Sequence, residues 1–165
     1  MRIVVCDTGP VIHLSEAGAL GLLEKAGEVF IPIAVDHELA RLIADWPARR
    51  PRWIRVESPP DPAAGQLAQW AAQIDIGSGE MEAIVLAQSV AADWLLTDDA
   101  AARVVATLLG IEVHGSLGVV LWAAARRHID RPEAAALLDR LAKSSLWVSP
   151  AIVAEARRAL DALQG

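Results

Sequence analysis

Short apolar runs alternate along this chain with longer segments in which apolar residues recur at helical spacing. The short runs predict buried strands, and they are RIVVC (2–6), EVFIP (28–32), RWIRVES (52–58), WLLT (94–97) and IEVHG (111–115). The longer segments predict helices over 11–27, 33–46, 66–73, 80–92, 101–110, 117–128, 132–143 and 150–163. Turn-rich stretches at 59–65 and 74–79 separate elements in the middle of the chain.

The alternation of strands and helices predicts an α/β fold. Parallel strands need helical crossovers that cover both faces of the sheet, so we expect a three-layer α/β/α arrangement with a mostly parallel central sheet. A chain of 165 residues is a natural size for one domain, and we expect a single domain over 1–165 that includes a C-terminal helical tail, 129–165. In such sheets, ligands bind at the carboxyl ends of the strands, near the point where the strand order reverses.

Composition limits the classes to which the chain can belong. Apolar residues make up 54% and charged residues 22%, which excludes disorder, and no apolar run approaches the roughly 20 residues of a membrane span. Arg2 is followed by only four apolar residues before Asp7, so no secretion signal is expected. The single cysteine, Cys6, excludes an internal disulfide and a cysteine-based metal site. We therefore expect a soluble, cytoplasmic protein with no membrane partner.

The net charge of −6 argues against binding of nucleic acid through a broad basic face. An enzyme of this charge that acts on nucleic acid needs a local source of positive charge. Bound metal ions are one such source, and the arginine run is another: Arg49, Arg50, Arg52 and Arg55.

Acidic residues follow two of the predicted strands. Asp7 comes directly after the first strand, and Asp98 and Asp99 come directly after WLLT, so we expect all three at the same edge of the sheet. Glu38 and Glu80 lie in the first turns of helices that can reach this edge. Converging carboxylates repel one another unless a cation lies between them, and a set of oxygen ligands suits Mg²⁺ or Mn²⁺. The Asp-Thr-Gly triplet also occurs in aspartic proteases, but their all-β fold is excluded by the alternation.

Four segments carry a resemblance to a known family: IVVCDTGP (3–10), VFIPIAVDHEL (29–39), GSGEMEAIVLA (77–87) and ADWLLTDDAAARVVA (92–106). In this combination the chain resembles the PIN-domain ribonucleases. The similarity is to the branch in which Gly-Glu-x-Glu-Ala-Ile precedes Leu-Leu-x-Asp-Asp, and GIEVHGSLGVVL (110–121) also fits that branch. The resemblance covers about residues 2–128 and implies the PIN fold.

The resemblance implies a catalytic metal pocket made of four acids: Asp7, Glu38, Glu80 and Asp99. Asp98 is a close alternate to Asp99 as a metal ligand, and Thr97 has a supporting role in orienting a ligand or a water. One departure is Gly9, where the family commonly has Ser or Thr. This departure favours weaker metal binding or lower activity.

The implied activity is that of a Mg²⁺- or Mn²⁺-dependent endoribonuclease. Single-stranded RNA would be cut to leave a 5′-phosphate and a 3′-hydroxyl, with bound cations lowering the pKa of the attacking water and stabilising charge on the phosphate. The resemblance further implies the toxin component of a prokaryotic toxin–antitoxin system. An antitoxin protein would cover or enter the acidic cleft, and the toxin would be a homodimer.

Ordinary structural roles remain open for each acid taken alone. Asp7 could cap a turn, Glu38 could be a solvated helix residue, and Glu80 could be a favourable charge at a helix N-terminus. Asp98 and Asp99 could serve as a helix N-cap with a flanking acid.

The arginine and tryptophan side chains singled out in the sequence also have structural interpretations. Arg103 is better explained as an i, i+4 partner of Asp99 than as a phosphate ligand. Trp46 and Trp53 flank the arginine run, and apolar packing is a better explanation of them than base stacking.

Two other functions would also use a cluster of acids at the ends of parallel strands or the PIN fold. A phosphoreceiver would need a lysine at a strand end opposite the acids, and the only lysines, Lys25 and Lys143, are not at such positions. A PIN-like domain that has lost catalysis and acts as a binding or regulatory module remains the alternative. Gly9 favours it weakly, whereas the presence of all four acids opposes it.

Overall fold

The five apolar runs predicted as strands form one sheet. A computed structural model of the chain describes residues 1–61, 69 and 72–163. The strands are β1 (Ile3–Cys6), β2 (Glu28–Pro32), β3 (Ile54–Glu57), β4 (Trp94–Leu96) and β5 (Val113–His114). The helices in the described ranges are α1 (Thr8–Glu16), α2 (Gly21–Ala26), α3 (Ile33–Leu42), α4 (Trp46–Arg49), α5 (Ser78–Ser89), α6 (Ala100–Leu108), α7 (Ser116–Ala125), α8 (Arg131–Ala142) and α9 (Pro150–Ala162).

All strands of the sheet run parallel, in the order β3-β2-β1-β4-β5. β1 lies at the centre, where Val5 is paired with Phe30 of β2 on one side and with Leu95 of β4 on the other. β2 and β3 lie on one side of β1, and β4 and β5, which come later in the sequence, lie on the other side. The strand order therefore reverses between the carboxyl ends of β1 and β4, where ligands bind in sheets of this kind.

Two apolar clusters cover opposite faces of the sheet. Val4 and Cys6 of β1 and Leu96 of β4 pack against α1, α2, α7, α8 and α9. Val5 and Leu95 point to the other face and pack against α5 and α6. Because successive strand residues point to opposite faces, runs that are apolar throughout are the pattern of a sheet buried on both sides. The predicted three-layer α/β/α arrangement is confirmed.

Two predicted helices are each divided by a residue with positive φ. The helix predicted over 11–27 is divided into α1 and α2, since Gly18 takes a φ of 72°. The helix predicted over 33–46 is divided into α3 and α4, since Asp45 takes a left-handed φ of 58°. The helix predicted over 66–73 lies outside the described residues except at positions 69, 72 and 73.

The two C-terminal helices contribute to the main apolar cluster. Leu138 and Leu141 of α8 are fully buried, and Leu160 of α9 is nearly so. They belong to the same cluster as Val4 and Leu96 of the central strands. No helix in the described part of the chain is long and apolar enough to cross a membrane. A tail that shares its core with the sheet favours the prediction of a single domain.

We predict that Leu138→Ala lowers the free energy of unfolding by about 2–5 kcal/mol, because the truncation leaves a cavity in that shared core. Chemical denaturation followed by circular dichroism should still show one cooperative transition. Leu108→Ala is the matched control, since Leu108 is 67% exposed and its truncation should change stability by less than about 0.5 kcal/mol. Separate unfolding of the tail before the sheet would contradict the single-domain prediction.

Candidate active site

Asp7 occupies the centre of the acidic edge. It follows β1, caps the N-terminus of α1, and is only 3% exposed. One carboxylate oxygen, Oδ1, accepts a hydrogen bond from the backbone N–H of Thr8 at 2.7 Å. The sequence produces this geometry because an Asp directly between a strand and a helix can satisfy an N–H that the first helical turn leaves free.

Thr97 connects Asp7 to Asp99. Its hydroxyl donates to Oδ2 of Asp7 at 2.9 Å and accepts from the backbone N–H of Asp99 at 3.2 Å. Asp99 is the N-cap of α6, and its Oδ1 accepts from the backbone N–H of Ala102 at 2.7 Å. Asp7 and Asp99 therefore lie close together, as predicted, and the buried Thr97 lies between them.

Glu38 and Glu80 approach Asp7 from α3 and α5. Oε2 of Glu38 accepts from the hydroxyl of Thr8 at 2.6 Å. A Cβ added to Gly79 would lie 3.0 Å from this same oxygen, so a glycine at the start of α5 permits the approach of the two helices. The carboxylate of Glu80 folds back over Gly77 and accepts a hydrogen bond from its own backbone N–H.

The pKa shifts show that these acids share one electrostatic environment. Burial, followed by the negative charges of Glu80 and Glu38, raises the pKa of Asp7 from 3.8 to about 7, against the hydrogen bonds from Thr8 and Thr97. Burial and the charges of Asp99 and Glu38 also raise the pKa of Glu80. The four acids named from the sequence are thus electrostatically coupled around one position.

Asp98 has a different environment from Asp99, although the two are adjacent in sequence. Its Oδ1 accepts from the backbone N–H of Ser116 at 2.7 Å, and its Oδ2 accepts from the Ser116 hydroxyl at 2.5 Å. Nδ1 of His13 lies 2.7 Å from the same Oδ2, and since an ionised carboxylate only accepts, this nitrogen donates. Asp98 thereby joins α1, the end of β4 and the start of α7.

These contacts hold Asp98 in its charged form. Burial alone would raise the pKa of Asp98, but the hydrogen bonds from His13 and Ser116 outweigh burial and lower it. A Cβ added to Gly115 would lie 2.8 Å from Oδ1 of Asp98, so a glycine is needed where α7 begins. A Cβ on Gly9 would lie 3.6 Å from Oδ2 of Asp98, so a larger side chain at this position would contact Asp98. In this chain Ser116 supplies a hydroxyl to that carboxylate.

The donor set fits a hard divalent cation, but the side chains are not gathered around one. In the described ranges, no three carboxylate, imidazole or thiolate groups are placed to hold a metal ion together. The hydroxyl of Thr8 holds Glu38, and Glu80 is turned toward its own backbone. Carboxylate oxygens are the ligands that Mg²⁺ or Mn²⁺ prefers. A bound cation would also offset the negative charge of the acids around the buried carboxylate of Asp7. Rotation of Glu80 away from Gly77 would bring a further ligand toward Asp7.

Two contacts at this edge were missed or misassigned from the sequence. Glu82 accepts from the backbone N–H of Ala34 at the start of α3 at 3.0 Å, so it caps a neighbouring helix and is half-buried. Arg103 does not pair with Asp99, and the prediction of an i, i+4 pair was wrong. Its Nη1 donates instead to the backbone carbonyl of Thr97 at 3.2 Å, since Asp99 is engaged as an N-cap.

The packing prediction for the two tryptophans that flank the arginine run is confirmed. Trp46 is buried, and its Nε1 donates to Oδ1 of Asp36 at 2.8 Å. Trp53 is partly buried against the main apolar cluster. The thiol of Cys6 is also buried, and burial raises its pKa well above the ordinary value, as expected of an inert side chain.

Comparison with known proteins assigns the fold to a family. Residues 3–162 match the model of the family DUF3368, which is described as a PIN domain. The match extends through α8 and α9, beyond the residues in which the sequence motifs were found. No curated protein and no solved structure matches the chain at a significant level.

We predict that Mn²⁺ or Mg²⁺ raises the unfolding temperature, and more so at higher pH. Because the pKa of Asp7 is raised from 3.8 to about 7, the folded state holds this proton more tightly than the unfolded state, and that stabilisation is lost as the pH rises through about 7. A cation competes with the proton, so its apparent affinity should be about tenfold higher at pH 8 than at pH 6. Thermal unfolding with and without the cation measures both effects.

Asp7→Asn is the decisive variant for this measurement. A cation at a hundred times its Kd stabilises the folded state by about 2.7 kcal/mol, which is a rise of roughly 5–10 °C in a chain of this size. Asp7→Asn should lose this rise and should be more stable than the unaltered chain in EDTA at pH 8. Glu24→Gln, at an exposed position on α2, is the matched control. An equal rise in all three proteins would place the cation elsewhere.

We predict that Asp98→Asn lowers the free energy of unfolding at pH 7 by about 1–3 kcal/mol, because the amide loses charge-assisted hydrogen bonds to His13 and Ser116. The pKa of Asp98 is lowered, so this contribution exists above the ordinary value of 3.8 and disappears as the pH falls through the folded-state value. Urea unfolding across this range tests the sign. Loss of the cation response without loss of stability would instead make Asp98 a metal ligand.

Proposed function

The chain belongs to the PIN-domain family, and we propose that it is a Mg²⁺- or Mn²⁺-dependent endoribonuclease that cuts single-stranded RNA. PIN domains are generally nucleases and typically use divalent metal ions. The substrate, the cation and the biological role are the parts that we add to this family assignment.

The observation that carries the proposal is the mutual perturbation of the acids at the switch point of the sheet. Burial, together with the negative charges of Glu80 and Glu38, raises the pKa of Asp7 to about 7. A buried carboxylate that feels the charge of further acids is a costly arrangement in a protein without a cation. Acids with perturbed pKa values at the carboxyl ends of parallel strands, where the strand order reverses, are typical of a functional site.

We assign distinct roles to the residues around Asp7. Asp7, Glu38, Glu80 and Asp99 would hold the cation, and Thr97 would fix the oxygens of Asp7 through its hydroxyl. Thr8 would orient Glu38 in the same way. When bound, the cation supplies an activated water and stabilises charge on the scissile phosphate and the leaving 3′-oxygen. Asp98 would support this edge through His13 and Ser116 without binding the cation.

We further propose that the nuclease is the toxin of a prokaryotic toxin–antitoxin pair, acting in the cytoplasm as a homodimer. Two surfaces support a protein partner. An apolar cavity of about 610 Å³ is lined by Ile12, Leu20, Leu42, Ile43 and Trp46 on α1, α3 and the adjoining loops. On α6, Val104 and Leu108 are 56% and 67% exposed on one face of the helix.

We predict that the purified chain cuts a labelled single-stranded RNA in the presence of Mg²⁺ or Mn²⁺ and not in EDTA. The variants Asp7→Asn, Glu38→Gln, Glu80→Gln and Asp99→Asn should each lower the rate by about a hundredfold or more, since each removes a charged ligand from the cation. Glu24→Gln should cut at the unaltered rate. Mapping of the ends should give a 5′-phosphate and a 3′-hydroxyl.

Two outcomes would contradict the nuclease. If the cation raises the unfolding temperature but RNA of varied sequence remains intact, the chain is a PIN-like binding or regulatory module. If neither response appears, the acids around Asp7 have a structural role only.

A further inference from the structure

A second cavity continues from the acidic edge toward the C-terminal helices. It has a volume of about 740 Å³ and is lined on one side by Asp98, Asp99 and Arg103. The opposite wall is the segment that joins α8 to α9, including Trp147. This volume lies within the range of ligand pockets, which is about 300–1,000 Å³. Asp98, Asp99 and the joining segment therefore line one continuous space.

Trp147 is the most exposed tryptophan of the described chain. Its side chain is 94% exposed, whereas the other tryptophans in the described ranges are buried or half-buried. Exposure of so large an apolar ring to water is unfavourable, and aromatic side chains bury more area than others on binding. Because the sequence places this ring beside a cavity instead of in the core, its exposure points to a ligand.

The backbone around Trp147 is fixed, although the ring is not covered. The N–H and hydroxyl of Ser145 donate to the carboxylate of Glu16 at 2.6 and 2.7 Å. The N–H of Leu146 donates to the hydroxyl of Ser144 at 3.1 Å, and Ser149 caps α9. Hydrogen bonds on both sides thus hold the segment, so the backbone that carries the ring is positioned at the cavity wall.

Arg103 places a positive charge in the same cavity. Its Nη1 donates to the backbone carbonyl of Thr97, which keeps the guanidinium beside the residues that carry Asp98 and Asp99. In the part of the chain that the structure describes, no carboxylate lies within 4.0 Å of this guanidinium as an ion-pair partner. Its remaining N–H groups are available to an anion such as a phosphate.

We propose that this cavity binds a nucleotide of the substrate strand next to the scissile phosphate, with the base stacked on Trp147 and a phosphate held by Arg103. This inference rests on the proposed nuclease function. The aromatic ring of Trp147 and the guanidinium of Arg103 line one space beside the acidic edge, and they match the alternating bases and phosphates of a nucleic acid. A protein partner would not need a guanidinium and the acids at the same place.

Stacking also identifies the form of the nucleic acid. A ring on the cavity wall can stack on a base only when that base is free of a helix, as in a single strand. Every base has a face on which to stack, so Trp147 contributes affinity with little preference for sequence. The residue would therefore select single-stranded over double-stranded substrate and leave the choice of sequence to other contacts.

The test measures RNA affinity and cleavage separately. Fluorescence anisotropy with a labelled 12-nucleotide RNA gives the Kd in the Asp7→Asn background, in which RNA remains uncut, and cleavage is measured with Asp7 present. Trp147→Ala should raise the Kd about tenfold or more, and Trp147→Phe should retain most of the affinity because it keeps an aromatic face. Trp147→Leu should behave like Trp147→Ala. Leu108→Ala, at an exposed apolar position outside this cavity, is the matched control and should bind normally.

Salt dependence separates the two contacts. Arg103→Gln should weaken binding and reduce the slope of log affinity against log salt by about one, as expected for the loss of one phosphate contact. Trp147→Ala should weaken binding and leave that slope unchanged, because a stacked ring releases no counterions. A reduced slope in Trp147→Ala would overturn the assignment of stacking.

The remaining outcomes distinguish this inference from the proposed function. If RNA is cut normally and Trp147→Ala binds it with unaltered affinity, the stacking site is overturned and the nuclease stands. If Trp147→Ala instead dissociates a dimer in light scattering without changing RNA affinity, the ring belongs to a contact with a second copy. If Leu108→Ala weakens binding as much as Trp147→Ala, the loss of affinity is not specific to this cavity and the proposal fails. If the unaltered chain neither binds nor cuts RNA, the nuclease fails first.

Discussion

The parallel pairing of β1 with β4 is the interaction on which the candidate site depends. The backbone N–H of Asp7 donates to the carbonyl of Leu96 at 2.9 Å, which continues the ladder past the end of β1. This bond places Asp7 beside Thr97, whose hydroxyl then joins Asp7 to Asp99. A shift of this pairing by one residue would turn the side chains to opposite faces and separate the acids.

Two neighbouring aspartates show how environment divides carboxylates between structure and function. Asp98 receives hydrogen bonds from His13 and Ser116, which stabilise its charge and lower its pKa. Asp7 receives hydrogen bonds as well, but burial and nearby acids outweigh them and raise its pKa. The negative charge of Asp98 is thus stabilised by groups within the chain. The negative charge of Asp7 is not, and a proton or a cation would be needed to neutralise it. This difference supports the proposal that the chemistry takes place at Asp7, since functional sites concentrate groups whose charge the fold alone does not stabilise.

The sheet and the acids of the site could be predicted from the sequence, because both leave periodic or positional signals. Strand runs, helical spacing and the position of Asp7 directly after a strand are local features. The hydrogen bonds of Asp98 with Ser116 and His13 were not predicted, since these residues lie 18 and 85 positions away in the sequence. Nothing in the local sequence around either residue indicates that it is a partner of Asp98. The cap that Glu82 provides to α3 was missed for the same reason. Side-chain contacts between distant segments follow from the tertiary fold and not from local pattern.

The charge of the chain bears on how a polyanion could be held. The arginine run expected to supply positive charge is partly neutralised within the protein, because Arg50 lies 2.7 Å from Asp36 and Arg55 lies 3.8 Å from Glu28. A chain of net charge −6 therefore gains little from long-range attraction to phosphates. Contacts that do not depend on charge must carry more of the affinity, and stacking on an exposed ring such as Trp147 is such a contact. In the proposed function, the nuclease would therefore hold its substrate mainly through bases near the cut and only weakly along the backbone.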